Sequence, residues 1–381
     1  METIPFDELP GVCRNPNEYM KINPAEVPMR KTSHALFTLS IALFAATSAL
    51  AQSAASPQGD AGPYRVAQTF KVGGEGGWDY LTVDPEHKLL YVPRSTHTMV
   101  LDAATGKTVA DIPGQQRNHG VALVPGVGRG FISDGEDASV AIFDLKTNAV
   151  LGKVKADVDA DGIIYDPDSR KVLVVCGDAG VLIPISPDVD PKTGKADAAV
   201  VLGGKPEFFV AAEGKIYVNL VDKDQVAVVD SKTMKVIHKW PTAPGGSPVG
   251  MSLDRVHRRL FIGCRKPQKL VVMSAEDGKI LADLPIGAGV DATQFDGDAF
   301  ASCRDGTLAV ARETAPGKFQ IVQTVETRPG ARTMGLDPTT HAIFLPTAEF
   351  GRETDARSRP LPKPDSFMIL VVRPAIALPS K

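Results

Sequence analysis

Asp79, His119, Asp161, Glu207, Asp291 and Arg332 recur at intervals of about 40 residues, each as the second residue of a short, otherwise apolar segment. A seventh segment carries Val249 at the same place. Carboxylates, an imidazole and a guanidinium are the groups of acid–base chemistry, cation coordination and ion recognition. Brought together, four carboxylates repel one another unless a bound cation, a cationic ligand or neighbouring arginines compensate them. His119 with Asp79, Asp161, Glu207 and Asp291 would offer a divalent cation a hard, oxygen-rich sphere, suited to calcium, magnesium or manganese more than to zinc. His119 and Arg332 are also the candidates for a catalytic role.

A second set of polar residues follows the next apolar run in each repeat: Arg94, Asp134, Asn219, Arg265 and Arg304, with His97 and Lys223 slightly farther on. Planar guanidinium groups bind carboxylate or phosphate bidentately, so Arg94, Arg265 and Arg304, with Asn219, are expected to bind an anionic or mixed-charge ligand. The plainer alternative is a salt-bridge lattice, Arg94 with Asp79 and Arg304 with Asp291, that only stiffens a rim.

The elements that must position these groups are short strands. The repeated segment reads WDYLTVDP at 78–85, NHGVALVP at 118–125, ADGIIYDP at 160–167, PEFFVAA at 206–212, PVGMSLD at 248–254, VDATQFD at 290–296 and ARTMGLDP at 331–338. Each is followed by two or three further apolar runs with turn residues between them, as in KLLYVP, TMVLDAA and KTVADIP. Four strands per repeat and seven repeats predict an all-β, seven-bladed β-propeller over residues 64–373, with the charged column around one mouth of its central channel. The seventh repeat stops after three strands, and the unassigned stretch 64–73 is expected to complete it and close the ring. Between its second and third strands that repeat carries a long insertion, 346–366, expected beside the charged mouth.

The chain has 381 residues and a formal net charge of −3, without the basic footprint of a nucleic-acid binder. Arg30 and Lys31 precede an apolar run, 35–46, and Ala49-Leu50-Ala51 supplies a small-x-small pattern. Residues 29–51 therefore read as a signal peptide, 1–28 as an upstream extension from a misplaced start, and 52–63 as a disordered linker. A tail, 374–381, follows the propeller. The apolar run is too short for a confident membrane span. The mature chain is expected to be a periplasmic or secreted monomer without a transmembrane span. Cys176, Cys264 and Cys303 remain in it, and a Cys264–Cys303 bridge is disfavoured by the distance between equivalent positions of adjacent blades.

DVDADGIIYDPD at 157–168 imitates a calcium-loop pattern, but the repeat register makes its centre a strand. No nucleophile elbow, phosphate loop, H-E-x-x-H or C-x-x-C occurs. The VDP, YDP and LDP endings, the following YV or FI strands and the D-x-x-T-G or D-x-K-T hairpins resemble the YncE-like branch of the YVTN β-propellers across residues 64–373. That resemblance implies an extracytoplasmic propeller, similar in architecture to propeller lactonases and quinoprotein or cupredoxin-linked reductase domains. It supplies no catalytic motif that maps onto this chain. Three functions stay open: binding of a small polar ligand, an ion or an envelope protein at the charged mouth; a metal-assisted hydrolase or lyase acting on a sugar acid or lactone, with His119 as base and Arg94 or Arg332 on the substrate carboxylate; and an envelope interaction scaffold with an inert channel.

Overall fold

The computed structural model describes residues 63–355 and 358–375. The expectations for 1–28, 29–51 and most of 52–63 and 374–381 fall outside those residues. Seven four-stranded antiparallel sheets form the blades of a β-propeller. Blade 1 consists of Thr82–Asp84, Leu89–Pro93, His97–Asp102 and Thr108–Pro113, and the next five repeat that order. In blade 3 the outermost strand shrinks to Val200–Val201 after the long hairpin. The last sheet is assembled from both ends of the chain: Gly335–Asp337, Ala342–Thr347 and Met368–Pro374, with Tyr64–Lys71 hydrogen-bonded along Met368–Pro374 as its outer strand.

The recurring acids of the repeat motif make turns. Asp254 accepts the amide N–H groups of Val256 and His257 at the end of its inner strand, and Asp166 does the same for Asp168 and Ser169. The D-x-K-T hairpins work alike: the Asp144 carboxylate takes the amide of Thr147 at 2.8 Å and its hydroxyl at 2.8 Å, and Asp230 binds Thr233 in the same way. Such Asx turns satisfy backbone donors where the chain must reverse.

Blades are held to one another by packing. Among the described residues, separate hydrophobic clusters lie between each pair of neighbouring blades, including one in which Phe344, Ile369 and Phe70 meet Leu81, Leu90 and Leu101 of blade 1. Gly106, with φ of 72°, turns the last hairpin of blade 1 directly beneath Phe70, where a Cβ would overlap the ring. The glycine thus serves both a left-handed turn and a close approach. No helix among the described residues is long and apolar enough to cross a membrane.

Candidate functional site: a charged chamber at the channel mouth

The second residue of each inner strand is aimed by irregular backbone. In blades 2 to 6 the pairing of the first two strands loses register at this residue, between Asn118 and Val121, Ala160 and Ile163, Pro206 and Phe209, Pro248 and Met251, and Val290 and Ala292. Bulges of this kind break the alternation of a flat strand and re-aim one side chain. In blades 1 and 7 the residues concerned, Asp79 and Arg332, precede the regular strands Thr82–Asp84 and Gly335–Asp337 altogether. Inner strands expected from 78 and 331 are therefore shorter than the sequence suggested.

All six ionisable residues of the column line one cavity of about 850 Å³, together with Arg265 and Arg304. Five of the six, all but Glu207, form a chain of alternating charge with Arg265. His119 Nδ1 lies 2.7 Å from Asp79 Oδ2 and 3.4 Å from Asp161 Oδ1. Arg332 Nη1 is 3.5 Å from Asp79 Oδ1 and also pairs with Asp291, whose other oxygen pairs with Arg265. The pairs foreseen between Arg94 and Asp79 and between Arg304 and Asp291 are replaced by these.

Burial sets the electrostatics. Desolvation by itself would lower the His119 pKa, but the Asp161 charge and the Asp79 hydrogen bond outweigh it and push the imidazole up to about 9, so it is cationic at neutral pH. Asp79 is buried too, yet Arg332 and His119 hold its carboxyl below the usual range. Asp161 goes the other way: desolvation, against the favourable charge of His119, brings it up to about 7. Burial also raises Glu207. Glu207 makes no hydrogen bond or ion pair with a side chain among the described residues, and neither does the Arg304 guanidinium.

Two expected ligand residues are employed elsewhere. Arg94 is 1% exposed and absent from the chamber lining: its guanidinium donates to the carbonyls of Gly73, Gly74, Gly76 and Gly77 and stacks 3.8 Å over the Phe367 ring. It clamps the glycine-rich linker between the N-terminal strand and blade 1. Asn219, fully buried, donates to the carbonyls of Val249 and Gly250, tying blade 4 to the inner strand of blade 5. Asp134 is likewise buried and bound to the Gln116 amide and Lys153. The end of the second strand is thus chiefly a joint between blades.

Other chamber residues escaped the sequence reading. Arg117, Asp159 and Lys205 each stand two positions before a column residue, and Arg117 Nη2 is 3.2 Å from Asp159 Oδ1. Period-two alternation applied backwards from His119, Asp161 and Glu207 would have exposed this upper tier. The insertion contributes Asp355 and Arg359, which pair at 2.6 Å beyond the short strand Phe350–Thr354. Tyr80, next to the column, packs on Phe208 at 4.7 Å between ring centroids and lines both the charged chamber and a second, mainly apolar cavity of about 370 Å³. Tyr80 borders the chamber itself, while Phe208 backs it from the second cavity. Trp78 lines the wall and packs on Phe367 at 5.4 Å between ring centroids.

Asp79, His119 and Asp161 can each turn a ligand atom to a common point, the three lying within 4.8 Å of one another. Cys176, Cys264 and Cys303 are buried and free, and desolvation pushes each thiol up to about 12, far from a thiolate nucleophile. The calcium-like stretch is a strand, Ala160–Asp166, as the repeat register requires.

No family model and no curated protein matches the chain. Among solved structures it is similar to the hydrazine synthase of Kuenenia stuttgartiensis, with a TM-score of 0.64 over 79% of this chain and 97% of that one at 12% identity. At that identity the likeness is one of fold, and what it establishes is that this chain is a seven-bladed β-propeller.

Proposed function

We propose that the protein is a ligand-binding β-propeller whose chamber takes a small anionic molecule bearing a carboxylate or phosphate. The observation that carries this is Arg304. Its guanidinium lines the cavity without a partner among the described residues, while Arg265 and Arg359 stand close enough for their charges, after desolvation, to lower its pKa. An anion placed there relieves the repulsion and meets a planar fork of donors. A cavity of about 850 Å³ is of the size that encloses a small organic ligand. Thermal-shift screening of carboxylate and phosphate compounds, followed by calorimetry, tests the reading. Arg304→Ala is expected to weaken any hit at least about tenfold, in line with loss of a charge-assisted hydrogen bond. Unchanged affinity in that variant would refute it.

A second reading is favoured by the convergence of Asp79, His119 and Asp161: a divalent cation in place of the His119 Nδ1 proton, as a metal-assisted hydrolase or lyase would need. Manganese or calcium is then expected to raise the Tm of the wild type and to leave Asp161→Asn unmoved. Equal shifts in the two proteins, or none, dismiss the metal. The YncE-like likeness of the repeats and the export signature at 29–51 support a periplasmic or secreted setting for either role.

A further inference from the structure

The chamber holds one more uncompensated charge, and it is negative. Glu207 projects from the bulge of blade 4, lines the same cavity as Arg304 and has no partner among the described residues. The cations whose fields reach it most strongly are committed elsewhere. Arg265 is held by Asp291 and the Val290 carbonyl, and Lys205 by Asp178 at 2.6 Å. Every other acid of the column is joined to His119, Arg332 or Arg265. The alternating chain of charge is therefore closed at Asp161, Asp79 and Asp291 and left open at two points of opposite sign.

We infer that the ligand is a zwitterion, with its carboxylate on Arg304 and an ammonium group on Glu207. A desolvated carboxylate and an unpaired guanidinium in one chamber each cost free energy that a single molecule carrying both complementary charges returns. A purely anionic ligand would leave Glu207 uncompensated and facing a second negative charge. Tyr80, which lines the same cavity, gives the carbon skeleton between the two charges an aromatic surface.

This rests on the anion-binding reading above, and the experiment separates the two. Calorimetry is run with straight-chain ω-amino carboxylates of two to eight carbons and with the matching carboxylates lacking the amine, against wild type, Glu207→Gln and Arg304→Ala. The best amino carboxylate is expected to bind wild type at least tenfold more tightly than its des-amino partner. Glu207→Gln removes that preference without weakening the simple carboxylate, and Arg304→Ala weakens both. Equal binding of the two compounds by wild type, or a preference that survives Glu207→Gln, overturns the zwitterion while the anion site stands. Carboxylate binding that Arg304→Ala leaves untouched overturns the anion site itself. Glu207→Gln is nearly isosteric, and an unchanged Tm shows that lost preference is not lost folding.

Discussion

His119 sits between two carboxylates in a cavity wall, 8% exposed, with its Nδ1 hydrogen-bonded to Asp79 and 3.4 Å from Asp161. The folded pKa of about 9 lies above the ordinary 6.5, so the pairing contributes stability that is fully present below about pH 6.5 and is lost as pH rises through about 9. Urea denaturation at pH 6.5 and pH 10 should show wild type losing on the order of 2–3 kcal/mol more than His119→Gln across that window. Equal losses would mean that the imidazolium has no special partner. Asp161, raised to about 7, adds a loss of its own at lower pH, as the unfolded carboxyl ionises before the folded one does. Arg94 poses the opposite case: a charged group chosen for geometry. It is pushed down to about 10 by burial but remains cationic at neutral pH, and it satisfies four carbonyls at once.

At the scale of elements, joints between neighbouring pieces of chain decide what the mouth looks like. Arg94→Met preserves length and apolar packing but leaves the carbonyls of Gly73, Gly74, Gly76 and Gly77 without their donor. A loss of roughly 3–5 kcal/mol is expected, with new proteolytic cleavage near residues 73–77. Asn219→Ala uncovers the Val249 and Gly250 carbonyls and should cost about 1–3 kcal/mol, while ligand affinity at the chamber stays within twofold. If Asn219→Ala abolished binding without changing stability, its assignment as a joint would fail. The bulges matter in the same way. The apolar alternation in NHGVALVP or PEFFVAA reveals a strand, but the loss of register after Asn118 and Pro206 arises from pairing with the second strand and from the neighbouring blade. It is this irregularity that turns His119 and Glu207 toward the axis, and no residue type in the segment announces it.

For the whole molecule, a ring of packed blades makes stability a collective property. The cluster joining the last blade to the first contains Phe344 and Phe70, which face each other at 6.5 Å between centroids. Phe344→Ala should cost roughly 3–5 kcal/mol through cavity formation, and unfolding should remain a single transition, because opening one joint exposes the edges of both neighbours. A calorimetric trace that split into two transitions would show the blades acting as independent repeats, as in an open solenoid.

The sequence by itself determined the architecture: four short strands in seven registered repeats admit few closed arrangements, because each repeat buries its apolar face only against the next. It also determined which residues gather at the mouth, since Asp79, His119, Asp161, Glu207, Asp291 and Arg332 occupy one column and equivalent positions in a closed ring meet at the axis. The tertiary structure decided which charges are spent and which are left over. Arg94 and Asn219 look like ligand residues in a linear reading and are consumed by backbone carbonyls from segments up to 31 residues away. Glu207 and Arg304 look like their neighbours in sequence and, among the described residues, are the ones whose side chains have no partner. Pairing depends on distances of a few ångströms between side chains from different blades, and the pattern of residues along the chain holds no record of those distances.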